Sequence, residues 1–321
     1  MPNLNIGGQA VIEGVMMRSP ERVSTACRIS DGSIRVKTEN YRSLSQRVKA
    51  LGLPLIRGVI TFFEMTVIGV KTLNFSADVA VTDAEKQEAA EKGREYTEQK
   101  QKANNLMLAL TVIFSLGLGV AIFFFLPLAI ADWFGVQRDA LAFNLAAGAV
   151  RVAFLIGYMS LLTLSKEFRR IFEYHGAEHK AIMALENNAD LTPESAARFT
   201  RFHPRCGTSF LLIVALLAIL VYSIADTIWT KVTGAPPTLW QRLPFHLLIL
   251  PVVPSISYEL LRLSGQTRDN PITKVLIQPG LWLQRITTRE PNHEQLEVAI
   301  VALEEALARS ESALEVKRVL V

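Results

Sequence analysis

Apolar residues in this chain come in long unbroken runs rather than in alternation. Residues 106–130, 140–164 and 210–229 each approach the roughly 20 residues that cross a hydrocarbon core, and charges are scarce within them. The second run holds Arg151, which should face the bundle interior or reach back to an interface. A fourth run, 243–263, carries Pro244, Pro251, Pro254, His246 and Glu259. It predicts a kinked span whose freed backbone groups find partners inside the protein.

Outside these runs the period changes. Residues 22–29 and 33–38 alternate around Ser30-Asp31-Gly32, which predicts a β-hairpin. Residues 53–81 are mostly apolar but interrupted by Arg57, Glu64 and Lys71 at intervals of seven, which sets these charges on roughly one helical stripe. That segment predicts a helix on the membrane surface or against the bundle. Residues 83–102, rich in glutamate and lysine, read as a solvated helix or linker. Asn292 is an N-cap candidate ahead of Leu296, Ile300, Leu303 and Leu307, the spacing of a C-terminal amphipathic helix. The fold class expected is mainly α: a four-span, kinked helical bundle preceded by a small β-hairpin unit. Its pieces are a β-containing unit (1–52), the interfacial helix and linker (53–105), spans one and two (106–164), a His/Cys-containing loop (165–209), spans three and four (210–263) and a C-terminal segment (264–321).

Composition agrees, because a mean hydropathy of +0.26 with 50% hydrophobic residues is more apolar than an ordinary soluble domain. Lysine and arginine orient the spans. Lys166, Arg169, Arg170, Lys180, Arg198, Arg201 and Arg205 crowd the loop between spans two and three, and Arg262, Arg268, Lys274, Arg285 and Arg289 follow span four. The connections after spans one and three hold little more than Arg138, Lys231 and Arg242. Basic flanks stay inside, so both termini are expected in the cytoplasm, with the chain in the cytoplasmic membrane. The opening residues show no secretory signal pattern, and Cys27 and Cys206 are expected as reduced thiols. Anionic lipid beside these loops accounts for the net charge of +4, so no nucleic-acid partner is expected, while a homo-oligomer is compatible.

Candidate chemistry sits in the 165–209 loop. Glu173-Tyr174-His175-Gly176-Ala177-Glu178-His179-Lys180 contains His-x-x-Glu-His. On a helix His175 and His179 stand one turn apart on one face, with Glu178 beside both. Zinc hydrolases use this spacing, with two histidine ligands and a glutamate as general base toward water. Gly176 weakens such a helix by about 1 kcal/mol relative to alanine. The competing reading is a hydrogen-bonding network at a helix end. His203 and Cys206 could supply further ligands, or could belong only to a tight turn built on Pro204 and Gly207. Glu259, near the end of span four, is a candidate ligand or a partner for a basic side chain such as Arg262. Nitrogen and sulfur donors favour zinc among divalent metals.

Gly7-Gly8-Gln9-Ala10-Val11-Ile12-Glu13-Gly14-Val15-Met16-Met17-Arg18, the Tyr174 to Lys180 cluster, His203-Pro204-Arg205-Cys206-Gly207-Thr208-Ser209, Ser257-Tyr258-Glu259 and the block 279–291 together resemble the YqhQ-like family of bacterial membrane proteins. The resemblance covers nearly the whole chain. It implies a multi-span membrane protein, sometimes labelled a metal-dependent enzyme, and supplies no substrate or catalytic assignment. Residues 7–18 are not a phosphate loop, since no Gly-Lys-Ser/Thr follows, and structural use is expected, although Glu13 and Arg18 could line the site. Gln278-Pro279-Gly280 reads as a turn. Three functions fit: a membrane-embedded metal-dependent hydrolase, with Glu178 catalytic and His175, His179, His203, Cys206 and Glu259 as the ligand candidates; a membrane scaffold; or an oligomeric transporter or channel, to which Arg151, Asp226 and the broken fourth span point.

Overall fold

The computed structural model describes residues 6–94, 105–136, 140–266, 270–307 and 318–320. The chain opens with four antiparallel strands in sequence order, β1 (Gly7–Val11), β2 (Gly14–Arg18), β3 (Arg22–Arg28) and β4 (Ile34–Asn40). The expected hairpin is β3–β4, turned at Gly32 with φ +81° and closed by Asp31 accepting from Ser33 N at 2.8 Å. The hairpin β1–β2 ahead of it had no clear signal. Its connection is only Ile12-Glu13, and Glu13 holds φ 52° without being the glycine or asparagine that usually marks such a turn.

Short α1 (Leu44–Arg47) and a 3₁₀ turn (Lys49–Gly52) lead into α2 (Ile56–Glu91), a single 36-residue helix that takes in residues 83–91 of the expected charged linker, whose stretch 95–102 lies outside the described residues. Glu64 and Arg57 of the expected stripe have protein partners. Glu64 accepts from the Tyr41 and Ser43 hydroxyls at 2.9 and 2.7 Å and from Leu44 N at 2.6 Å, and Arg57 pairs with Glu259. Gly58 and Gly69 sit where a Cβ would come within 2.8 Å of Ser255 and 2.7 Å of Gln9, so small residues bring this face against its neighbours. Phe63, Val67 and Val70 on the other side are exposed.

The apolar helices follow: α3 (Asn105–Val120), a π-helical turn (Ala121–Phe125), α4 (Leu126–Trp133) and α5 (Ala140–Leu162). Then come α6 (Lys166–Glu186), capped by the Ser165 hydroxyl, and α7 (Pro193–Ala197). Next are α8 (Gly207–Thr233), α9 (Leu239–Ile249) and α10 (Val252–Gln266). Ile113–Trp133, Leu141–Leu162 and Gly207–Thr233 are long and apolar enough to cross a membrane, and α9 with α10 makes a fourth if that pair, bent by 46°, is one span. The bend falls at Pro251, as the proline pattern predicts. Arg151 is buried in the bundle, donating from Nε to the Phe123 carbonyl at 2.9 Å within the π-helical turn. Asp226 is fully buried and accepts from Asn144 (2.8 Å), Arg242 (2.9 Å) and His246 (2.9 Å), tying α5, α8 and α9 together.

The last elements are α11 (Pro271–Thr287), α12 (His293–Ala306) and β5 (Arg318–Leu320), the last parallel to β4. The turn expected at Gln278-Pro279-Gly280 is instead helical, inside α11. Gly280 lets α11 pack close to α8, since a Cβ there would lie 2.6 Å from the Ser209 Cβ. Asn292 caps α12 in a capping box with Gln295. This helix is buried almost all round rather than on one stripe: Val298, Ala299, Ile300, Val301, Ala302 and Leu303 are each 0% exposed. Alternation explains the core. Val15, Met17, Ala26, Ile34 and Val36 face α6 and α12, while Val11 and Cys27 face Phe75 and Val79 of α2. The strands, α6 and α12 thus share one core, although the apolar helices intervene in sequence.

Candidate metal centre

Helix α6 carries His175, Glu178 and His179 on one face, as the His-x-x-Glu-His spacing requires. The chain returns 27 residues after His179 to place Cys206 at the N-cap of α8. One donor atom each from His175, His179 and Cys206 lies within 4.8 Å of the others, and all three residues are buried. The His175 Nε2 is 3.2 Å from the Cys206 Sγ, and the imidazole centroids of His175 and His179 are 4.4 Å apart.

Backbone carbonyls set the tautomers. His175 Nδ1 lies 2.8 Å from the Thr287 oxygen and His179 Nδ1 2.5 Å from the Arg201 oxygen. Each carbonyl can only accept, so each Nδ1 carries a proton and each Nε2 turns to the centre, where a metal would take the place of any proton on it. The His179 Nε2 is buried without a hydrogen-bond partner. Such an atom is costly in a finished core and is what a metal would satisfy. Two imidazoles and a thiolate match the donors zinc accepts, and three protein ligands leave the open position of a catalytic site.

Charge in the cluster is strongly coupled. Burial would push the Cys206 thiol up, but the neighbouring His175 and His179 more than offset this and hold it well below the ordinary thiol range. Burial would depress His175, yet the Cys206 sulfur, Glu178 and the Thr287 carbonyl lift it to about 9. Burial raises the Glu178 carboxyl above the usual carboxylate range, opposed by the two imidazoles and a hydrogen bond from the Gly8 backbone. A Cβ on Gly8 would come within 2.9 Å of the Glu178 Cγ and Cδ, so this glycine lets strand β1 lie directly on the carboxyl. Gly176 has a similar purpose: α6 crosses the chain at Arg289 so closely that a Cβ would be 1.9 Å from its carbonyl oxygen.

His203 is adjacent but outside the trio. Its ring stands 5.6 Å from that of His179, its Nε2 is 3.5 Å from Glu186, and its backbone is held by Gln284, which accepts from His203 N and donates to His203 O, both at 2.8 Å. Glu259 is not brought to the cluster. The Arg57 guanidinium holds it from two nitrogens, Nε at 2.7 Å, so the expected basic partner is Arg57 of α2 rather than Arg262, and the carboxylate is already satisfied. Glu13 turns away to Arg170 and Tyr174, whereas Arg18 does line the space beside the site. That space is a cavity of about 410 Å³ among β1, β2, α2, α6, α8 and α10, reaching Glu178, His179 and Cys206. The Thr287 and Arg201 carbonyls, which orient the ligands, had no sequence signal because they act through backbone atoms.

The molecule is therefore a helical protein with membrane-span candidates, whose α/β unit presents a buried His-His-Cys centre to a cavity. Residues 53–309 match the family described as protein of unknown function (DUF1385), and the chain belongs to that family. It is 36% identical over 310 residues to the uncharacterized protein YqhQ of Bacillus subtilis (strain 168), covering 94% of this chain and 92% of that one. No solved structure matches.

Proposed function

We propose that this protein is a membrane-embedded, metal-dependent enzyme of the hydrolase kind, with its site at the cytoplasmic face. The observation that carries the reading is the pair of buried imidazoles, each anchored through Nδ1, that turn Nε2 toward the Cys206 sulfur. His175, His179 and Cys206 would hold zinc, which when bound supplies Lewis acidity toward a substrate oxygen. Glu178 is the proton carrier: burial keeps its affinity for a proton high, and Gly8 fixes its carboxyl beside the cavity. The cavity admits substrate while the sheet and α6 shield the cluster from bulk water.

The shared core supports a common side for its parts. Strands before the first apolar helix, α6 between the second and third, and α12 after the last pack together, so a membrane crossed by these helices must have all three on one face. The lysine and arginine bias assigns that face to the cytoplasm.

Metal content of protein purified without chelators tests the proposal. About one equivalent of zinc is expected, lost in His175→Ala and His179→Ala, because a three-ligand site does not easily spare an imidazole. Glu178→Gln should keep the metal, since an amide of the same shape preserves packing but cannot take a proton. Metal-free wild type, or full metal in all three variants, sinks the reading. A second reading has its own support: the 3.2 Å contact of His175 with Cys206 is also that of an activated thiolate nucleophile. Under that reading a chelator leaves activity intact.

A further inference from the structure

The cavity beside the centre holds an arginine that no carboxylate pairs with among the described residues. Arginines around it are paired: Arg205 with Glu186, Arg57 with Glu259, and Arg170 with Glu13. Arg18, at the end of β2, is different. Its guanidinium lies 4.6 Å over the Tyr41 ring, its Nη1 approaches only the Met65 sulfur at 3.2 Å, and its Nε is buried without a hydrogen-bond partner. Among the described residues no carboxylate pairs with it. Glu178 lines the same cavity but forms no ion pair with Arg18, its carboxyl taking a hydrogen bond from the Gly8 backbone. A half-buried guanidinium left without a carboxylate favours an anion, and its planar donors suit phosphate or carboxylate oxygens.

Much of the wall is apolar. Phe62 and Met65 of α2, Phe210 of α8 and Leu261 of α10 line it, and α8 is one of the helices long and apolar enough to cross a membrane. The apolar part of the cavity is therefore continuous with the helices proposed to meet lipid. At about 410 Å³ it also has the size of a small-molecule site, roughly 300–1,000 Å³.

We infer that this cavity takes an anionic amphiphile from the membrane, its phosphate or carboxylate headgroup on Arg18 and its hydrocarbon along Phe62, Met65, Phe210 and Leu261. The inference names a substrate class for the metal-enzyme reading, and rests on that reading only in treating the ligand as a substrate.

Equilibrium dialysis of the full chain in neutral detergent tests it, using octyl phosphate as probe, with octanol and inorganic phosphate as its two halves. Zinc is measured on every sample. Octyl phosphate should bind one per chain, roughly tenfold or more tighter than either half, because a desolvated charged hydrogen bond and the apolar contacts each contribute about that factor. Arg18→Gln should weaken it roughly tenfold while Arg18→Lys, which keeps the charge, loses less. Thr66→Trp, at an exposed position on the cavity wall, should block binding without altering zinc content. Inorganic phosphate binding as tightly as octyl phosphate would reassign the site to a soluble anion and overturn the inference. Octanol binding as tightly would overturn it too. Zinc at one equivalent without octyl phosphate binding defeats this inference alone, whereas octyl phosphate binding without zinc defeats the metal reading and leaves this one standing.

Discussion

Replacing Gly176 by alanine should destabilise the protein, although in an isolated helix the same change stabilises by about 1 kcal/mol. The added Cβ would stand 1.9 Å from the Arg289 carbonyl oxygen and 3.3 Å from the Pro291 Cδ, whereas ordinary contact begins at 3.4 Å. About 1.5 Å must therefore be found by moving backbone against backbone. The Arg289 segment cannot yield freely. Its N–H donates to the Phe172 carbonyl at 2.8 Å, and two residues earlier the Thr287 carbonyl accepts from His175 Nδ1 at 2.8 Å. Overpacking costs about 1–3 kcal/mol and each stretched hydrogen bond about 1 kcal/mol more. Set against the helix gain, the net loss is about 3 kcal/mol, or roughly 4 °C in the thermal midpoint for a chain of this size. Thermal unfolding in detergent, with zinc measured on the same samples, provides the assay. The midpoint should fall and zinc affinity should drop roughly tenfold, because displacing Thr287 frees the His175 ring. A variant as stable as wild type or more so, with unchanged metal, would refute the close crossing of α6 and the Arg289 segment.

The buried Asp226 should matter more. Asp226→Ala leaves Arg242 and His246, 1% and 0% exposed, without their carboxylate and should destabilise by about 3–5 kcal/mol, with Asp226→Asn milder; an unchanged midpoint in Asp226→Ala would count against the network. The two cysteines should differ toward iodoacetamide. Burial and Glu13 push Cys27 up to about 12, so its folded form stays protonated below that pH and its thiolate at pH 8 is roughly 1,000-fold scarcer than in an unperturbed thiol. Mass spectrometry should find Cys206 alkylated after zinc removal but protected before it, with Cys27 unmodified in both; rapid labelling of Cys27 at pH 8 in folded protein would contradict its burial. Reporter insertions near Asn40, at Asn187 and at the C-terminus should all report cytoplasm, and those near Gly135 and Gly234 the outside. Opposite sides for Asn40 and Asn187 would be incompatible with the core that joins the sheet to α6.

The sequence by itself determined whatever depends on near neighbours. Runs of apolar residues specified the span candidates, and Pro244, Pro251 and Pro254 marked the last one as kinked without saying which of them sits at the bend. The 22–38 alternation specified β3 and β4, and the Asn292 cap began α12. The 175–179 spacing alone set two histidines and a carboxyl on one face, because a helix turns every 3.6 residues whatever surrounds it. Tertiary structure decided the rest. Cys206, 31 positions from His175, joins the trio while His203 stays beside it, and Glu259 goes to Arg57, 202 positions away. Helix α12 looked amphipathic because periodicity counts only its most apolar stripe, but the sheet, α6 and α7 bury its other sides as well. Residues 278–280 looked like a turn because proline and glycine usually make one, yet packing on Ser209 keeps them helical. Gly8 and Gly176, which only loosened local structure in the sequence, turned out to be two of the places where other backbone or side-chain atoms lie too close for a Cβ. Local periodicity constrains direction within an element. Which elements meet is set by burying apolar faces and satisfying buried polar atoms across the whole chain, and the sequence spells out neither one segment at a time.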